Sequence, residues 1–241
     1  MKKPLLTGGL LAAVLAIVAA GVWYFAIRSD SPPPVSLEQA LEAASTPSTT
    51  TRTSAPATSN DGLSDDLTGT WNVVAGTSFA GYRVQEELAG IGSTTAVGRT
   101  TALKGSLQFD GKQITSVEVT ADLTKLASDK PMRDGQLRNQ GIQYGTYPNA
   151  TFKLTSPIAI SEVPEEGETI KQTVKGELTL HGVTRTIEME VEGVLKDGRL
   201  VVVGSTEIQF EDYNITEPRA ASVLSIEDHG IMELQLIFEQ A

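Results

Sequence analysis

The sequence predicts an all-β domain over residues 67–241, in which antiparallel strands enclose one apolar interior. The clearest observation is a strict alternation in which Ile187, Met189 and Val191 are each followed by a glutamate. Successive side chains of a strand point to opposite faces, so this segment has one apolar and one charged face. Other apolar runs repeat the alternation, and glycine-containing pairs suited to tight hairpin turns separate several of them.

The chain begins with a candidate membrane anchor. Residues 5–27 are uncharged and follow a short segment, 1–4, that carries two lysines. At about 1.5 Å per residue, a helix of this length spans a bilayer core of about 30 Å. The alternative is a cleaved signal peptide with its small-residue site at 18–20, but the aromatic cluster at 23–25 favours an uncleaved signal anchor. We expect a single-pass protein of the cell membrane, with a cytoplasmic N-terminus and the rest of the chain on the extracytoplasmic side.

Residues 28–66 have the composition of a linker, rich in proline, serine and threonine and poor in large apolar residues. Such a segment cannot bury enough apolar surface to order itself, so we interpret it as a disordered tether. The alternative is that Ser36 caps a short helix that runs through Ala44.

Within the β domain, the alternation marks each strand, and Asp110-Gly111 and Asp197-Gly198 predict two of the turns. A third turn is predicted at His181-Gly182, where glycine accommodates a positive φ. The predicted strands centre on residues 71–73, 78–87, 103–109, 117–121, 152–154, 175–180, 187–192, 200–210 and 232–238.

The segment 123–145 is the exception to the strand pattern. Its residues Leu123, Leu126, Met132 and Leu137 are spaced as in short helices, and Pro131 suits the first turn of one. One helical insert within a strand meander predicts either a closed barrel with a plug or lid, or a sandwich. Closing the sheet into a barrel leaves no exposed strand edge, so we favour the barrel over the sandwich.

The interior of an eight-stranded barrel is filled by side chains or holds one small ligand, and periodicity does not separate these cases. The predicted inner face has no charged side chain and only one hydroxyl, that of Tyr82. The candidate ligand-binding residues of this face are Tyr82, Val84, Leu107, Phe109, Val117, Val119, Phe152, Leu154, Leu178, Leu180, Ile187, Met189, Ile208, Phe210, Leu234 and Leu236.

Composition argues against several classes of function. The net charge of −11 disfavours nucleic acid as a partner. The chain has no cysteine and only two histidines, so we expect no catalytic residues, no metal site and no cofactor. His181 is interpreted as a turn residue. His229, beside Glu227 and Asp228, is interpreted as part of a turn before the last strand rather than as a metal ligand.

Several stretches, in order along the chain, resemble the YceI-like family of lipocalin-like, polyisoprenoid-binding domains. The hairpin GELTLHGVTR at 176–185 is similar to the family's G-x-LT-x-HGVT pattern. The other similar stretches are RDGQLR at 133–138, YPNATF at 147–152, FEDYNI at 210–215 and EDHG at 227–230. One departure is Tyr213-Asn214, which stands where the family has an aromatic residue followed by glycine.

The resemblance implies an extended eight-stranded antiparallel barrel whose apolar pocket holds an isoprenoid chain, such as a quinone tail or a polyprenyl lipid. Members of the family have no established catalytic residues. We therefore predict a membrane-tethered, extracytoplasmic binding protein rather than an enzyme, with Arg133 near the ligand headgroup at a carbonyl or phosphate. The alternative is a ligand-free barrel that acts as an interaction module of the cell envelope.

The anchor leads to a first prediction. Full-length protein should sediment with membranes and resist alkaline carbonate washing, because the apolar run spans the bilayer. A variant that begins at Leu67 should remain soluble in the same fractionation. Recovery of the natural protein with Gly21 as its first residue would contradict the anchor.

Overall fold

The computed structural model describes residues 31–45, 67–160 and 164–241. The predicted anchor at 5–27 and most of the predicted linker lie outside these ranges. Among the described residues, no helix has the length and apolar character needed to cross a membrane. The anchor therefore stays a prediction.

Thirteen strands and two α-helices lie in the described ranges. The strands are β1 (Gly69–Val73), β2 (Phe79–Leu88), β3 (Gly92–Thr100), β4 (Leu103–Phe109), β5 (Gln113–Asp122), β6 (Ala127–Ser128), β7 (Asn149–Leu154), β8 (Ile158–Ala159), β9 (Thr169–Leu180), β10 (Val183–Lys196), β11 (Arg199–Gln209), β12 (Val223–Ile226) and β13 (His229–Gln240). The helices are α1 (Leu37–Ser45) and α2 (Pro131–Asn139), with 3₁₀ turns at Leu123–Lys125 and Glu211–Tyr213.

Eight strands close into a ring in the order β1, β4, β5, β7, β9, β10, β11 and β13, which returns to β1. The pairings around the ring are antiparallel. β2 pairs with β13, as β1 does, and β3 pairs with β2. These two strands therefore extend the wall formed by β1 and β4. The predicted antiparallel barrel is confirmed, and the sandwich alternative is wrong.

The two ends of the barrel differ. The insert end carries the β2–β3 turn, the segment 123–148 and the connection 210–228. The opposite end carries the β4–β5 and β10–β11 turns. The predicted turn at His181-Gly182 is confirmed, with φ values of 51° and 74° that suit a type I′ hairpin. The loop after β4 has three residues rather than the predicted two, because the Asp110 carboxylate accepts backbone hydrogen bonds from Lys112 and Gln113.

The assignment of inner and outer faces follows the alternation. Trp71, Leu178 and Phe238 are buried in the core inside the barrel. Glu188 and Glu190 project outward and are exposed. The apolar and charged faces predicted for β10 are therefore confirmed.

The insert contains a short helix that begins at a proline. α2 begins at Pro131, whose fixed φ and missing N–H suit a first helical position. Leu137 is buried against the barrel core. Met132 of the same helix is 74% exposed at the insert end. At 3.6 residues per turn, Met132 and Leu137 lie about 140° apart around the helix, so they cannot both face the core.

The structure corrects the linker prediction over residues 31–45, which we call the strap. Instead of a disordered tether, this segment contains α1, packed on the outer face of β10, β11 and β13. Ala40 is fully buried, against a cluster that includes Val201 and Ile237. Ser36 caps the helix, accepting at its Oγ from the N–H of Gln39 at 3.4 Å, which is the alternative left open by the sequence.

Two arginines that pair with a buried glutamate also bind the first residues of the strap to the barrel. Arg99 Nη2 lies 2.7 Å from Glu233 Oε1, and Glu233 is 2% exposed although it points away from the barrel interior. Arg83 and Arg99 also donate hydrogen bonds to the carbonyl oxygens of Pro32 and Pro33, at 2.7 and 3.0 Å. The strap therefore shields a charge pair that is compensated by hydrogen bonds, as a buried charge requires.

Replacing Ala40 by arginine should detach α1, because the buried site has no room for the side chain and would strip water from its charge. We expect the free energy of unfolding to fall by about 1–3 kcal/mol. Denaturant titration measures this change, and hydrogen exchange should show faster exchange within 31–45. Gln39→Arg, at an exposed position, is the control and should change stability by less than about 0.5 kcal/mol. Equal losses in the two variants would show that α1 does not pack on the barrel.

Candidate ligand-binding channel

Two apolar cavities lie end to end inside the barrel, with volumes of about 230 and 270 Å³. Both are lined by Ala80, Ala121, Ala150 and Met232, so they meet at this level. Ala121 and Ala150 face each other on β5 and β7 at this level, and their side chains are short. Together the two volumes fall within the roughly 300–1,000 Å³ of ligand pockets, so side chains do not fill the interior. We call the two adjoining cavities the channel.

The first cavity lies toward the opposite end of the barrel. Ten residues of the predicted inner face line it: Leu107, Phe109, Val117, Val119, Phe152, Leu154, Leu178, Met189, Leu234 and Leu236. The prediction missed Ile170 and Val174 of β9, and Leu200 and Val202 of β11, which also line this cavity. These residues continue the phase of their strands, so extending the alternation along β9 and β11 would have found them.

The second cavity lies at the insert end. Predicted residues that line it are Tyr82, Val84, Arg133, Leu180, Ile208 and Phe210. Ile187 is the exception among the predicted set, because it packs against the core without lining either cavity. The helix α2 and the connection 210–228 add lining residues that strand alternation cannot identify, including Leu137 and Ile215.

Arg133 lies at the second cavity as predicted, but its charge is already paired. Its guanidinium donates to the Glu86 carboxylate and, at 2.5 Å, to Asp129 Oδ1. Burial lowers the pKa of Arg133, but the charge of Glu86, the neighbouring Tyr82 and the hydrogen bonds to Glu86 and Asp129 together outweigh burial and raise the pKa above its ordinary value. The guanidinium therefore remains charged and is neutralised within the protein, so it is poorly suited to bind an anionic group.

Tyr82 supplies a free polar group beside this ion pair. Its hydroxyl is buried and has no hydrogen-bond partner among the described residues. Burial raises the pKa of Tyr82 far above its ordinary value, so the group stays a neutral donor. Gly98, its partner across β2 and β3, makes room for the ring, because an ideal Cβ there would lie 2.5 Å from Tyr82 Cε1.

Each of the two histidines lies within hydrogen-bonding distance of another residue of the protein. The ring of His181 is buried rather than exposed at its turn, with Nδ1 2.9 Å from the Tyr213 carbonyl and the Tyr147 ring packed edge-on. His229 Nδ1 lies 2.9 Å from Asp228 Oδ1. Within the described ranges, no group of three or more histidine, cysteine, aspartate or glutamate residues could hold a metal ion.

Comparison with known proteins agrees with this architecture. The family model of the YceI-like domain matches residues 71–238. The chain belongs to the YceI-like family. The resemblance seen in the sequence motifs is therefore confirmed.

Relatives and solved structures extend the comparison of this YceI-like chain. It is 33% identical over 165 residues to a UPF0312 protein of Vibrio parahaemolyticus, covering 65% of this chain and 84% of that protein. A polyisoprenoid binding domain from Saccharophagus degradans, implicated in plant cell wall breakdown, shares the fold with a TM-score of 0.59 at 20% identity, covering 71% of this chain and 98% of that one. BcnA of Burkholderia cenocepacia superposes with a TM-score of 0.53 at 19% identity, covering 68% and 98%.

The family motif explains one unusual backbone position. Asn214 replaces the glycine of the resembled motif and has a φ of 53°, in the left-handed region. Asparagine is one of the few residues besides glycine that adopt this conformation readily. The substitution therefore keeps a left-handed residue at the end of the 3₁₀ turn.

The apolar lining leads to a prediction about polarity. Met189→Glu places a charge in the first cavity, where no partner compensates for lost water, and should lower the free energy of unfolding by at least about 2 kcal/mol. Glu190→Gln, on the exposed outer face, is the matched control and should change it by less than about 0.5 kcal/mol. Denaturant titrations measure both. Small and equal effects would contradict the assignment of the two faces.

Proposed function

We propose that this YceI-like protein is a membrane-tethered, extracytoplasmic binding protein for an isoprenoid lipid. The observation that carries the proposal is the channel, which consists of two apolar cavities with shared lining residues. The fold shared with a polyisoprenoid binding domain supports this class of ligand. The uncharged run at 5–27 and the two preceding lysines support the tether and the side of the membrane.

The channel can bind a hydrocarbon chain through burial alone. Removing each CH₂ group from water contributes about 0.8 kcal/mol, so affinity accumulates along the chain without specific polar contacts. An isoprenoid matches this lining because it is long, branched and apolar. Affinity should therefore rise with chain length until the channel is full.

The second cavity favours a neutral headgroup. The Tyr82 hydroxyl offers a hydrogen bond, and a carbonyl oxygen of a quinone ring would accept it. A phosphate would meet Arg133 only in competition with Glu86 and Asp129, which already neutralise the guanidinium. We therefore place the headgroup at the insert end, with the tail running toward the first cavity.

A chain-length titration tests this proposal. The purified full-length protein is titrated with prenyl chains of increasing length that carry one headgroup, and organic extraction with mass spectrometry identifies lipid retained from the cells. We expect affinity to increase with chain length and an isoprenoid to be recovered. Affinity that ignores chain length would contradict the proposal, and extraction without any lipid would favour the interaction-module alternative.

Ala121→Leu tests the passage between the cavities. The larger side chain should narrow the channel where Ala121 faces Ala150, so long chains should lose most of their affinity advantage over short ones. Ser116→Leu adds the same side chain at an exposed position of the same strand and should bind every chain length as the native protein does. If Ala121→Leu leaves the length dependence intact, the ligand does not cross the junction of the two cavities.

A further inference from the structure

Three large apolar side chains are exposed in the described ranges, and all lie at the insert end. Ile91 in the β2–β3 turn is 42% exposed, Met132 in α2 is 74% exposed and Leu224 in β12 is 65% exposed. They come from three separate segments of the chain. Their convergence on one end of the barrel is thus a property of the fold.

These side chains lie at or next to the second cavity. Ile91 and Met132 belong to its lining and are also exposed, so the cavity reaches the surface at these residues, which mark its entrance. Leu224 lies between Val223 and Ile226, which line the same cavity. The entrance therefore has an apolar rim, which we define as Ile91, Met132 and Leu224.

The strap leads the chain toward this rim. At its start, the Ser31 hydroxyl donates to the carbonyl of Thr95, in β3 close to the β2–β3 turn. At its end, the Ala44 carbonyl accepts a hydrogen bond from Arg199 at the opposite end of the barrel. The predicted anchor ends at residue 27, and the four residue steps to Ser31 reach at most about 14 Å. A bilayer crossed by that anchor would lie near the rim.

We infer that the insert end docks on the lipid bilayer, with Ile91, Met132 and Leu224 entering the membrane interface. The inference rests on the proposed function, because it uses the predicted anchor. It deepens that function, because the isoprenoid would pass between the bilayer and the second cavity without crossing water.

The chemistry of the rim favours a bilayer over a protein partner. Three separated side chains fall short of a stable protein interface, which buries about 1,200–2,000 Å². A tethered protein needs only a few apolar side chains to hold one face against the membrane interface. Because the chain carries a net charge of −11, the attraction is apolar and needs no anionic lipid.

The absence of native cysteine allows a direct test with single labels. Full-length Met132→Cys and Leu224→Cys carry an environment-sensitive fluorophore in neutral phosphatidylcholine vesicles, and Lys112→Cys at the opposite end is the control. We expect a blue-shifted emission, and quenching by a lipid-borne quencher, at positions 132 and 224 only. The signal should persist at about 1 M salt, where charges are screened beyond about 3 Å.

A kinetic measurement tests the consequence for lipid transfer. Leu224→Glu should slow transfer of a fluorescent isoprenoid from vesicles to the full-length protein by at least about tenfold, because one apolar anchor is lost. Its equilibrium affinity in detergent should be unchanged, since Leu224 does not line either cavity. Ser116→Glu, an exposed substitution of the same charge near the opposite end, should transfer at the native rate.

The outcomes separate this inference from the proposed function. If the protein sediments with vesicles and yields lipid on extraction, but both rim labels remain in water, docking is overturned and the proposed function stands. A dimer whose rim labels are shielded from water but are not quenched by the lipid-borne quencher would assign the rim to a second copy and would also overturn docking. If the protein does not sediment with vesicles, the tether and the docking both fail.

Discussion

The pairing of the last strand with the first is the constraint on which the rest of the structure depends. β13 contacts β1 through pairs such as Trp71 with Gln240, and β2 through pairs such as Tyr82 with Met232. This pairing closes the sheet, so alternate side chains of all the ring strands converge on one interior. An open sheet would need a second layer to cover its apolar face. In the closed ring, apolar side chains from opposite walls cover one another, and unfilled space remains along the barrel axis.

Small residues decide how much of that space stays open. An ideal Cβ at Gly176 would lie 2.3 Å from the ring of Phe152, so glycine allows this ring to lie close to the wall. Gly98 has the same relation to Tyr82. Ala121 and Ala150, which have short side chains, line both cavities where these adjoin. The channel therefore depends on small residues at these positions as much as on the apolar side chains that line it.

The outer face shows a second use of apolar residues. Val201 and Val203 point away from the channel and are buried beneath α1 of the strap. The run from Leu200 to Val203 is apolar on both faces, a pattern typical of a strand covered on both sides. The strap also covers Glu233, which forms ion pairs with Arg83 and Arg99. Residues that look like linker by composition are therefore part of the folded unit.

The sequence by itself determined the fold class and most of the inner face of the channel. Alternation and turn chemistry are local properties, so β10, the hairpin at His181-Gly182 and the start of α2 at Pro131 could be predicted from neighbouring residues. The family motifs added the number of strands in the ring, and they implied the class of ligand that we propose. Most of the predicted inner-face residues accordingly line one of the two cavities.

Only the tertiary structure decided the features that join residues distant in the chain. Arg133 pairs with Asp129, which is near in the chain, and with Glu86, which is 47 positions away, and no local pattern could show this second partner. Ile187 has the right phase but does not reach a cavity, because the depth of a side chain depends on its neighbours across the sheet. The few apolar residues of the strap are buried only because the folded barrel provides the outer face of β10, β11 and β13. Burial against a distant surface, rather than local composition, orders that segment.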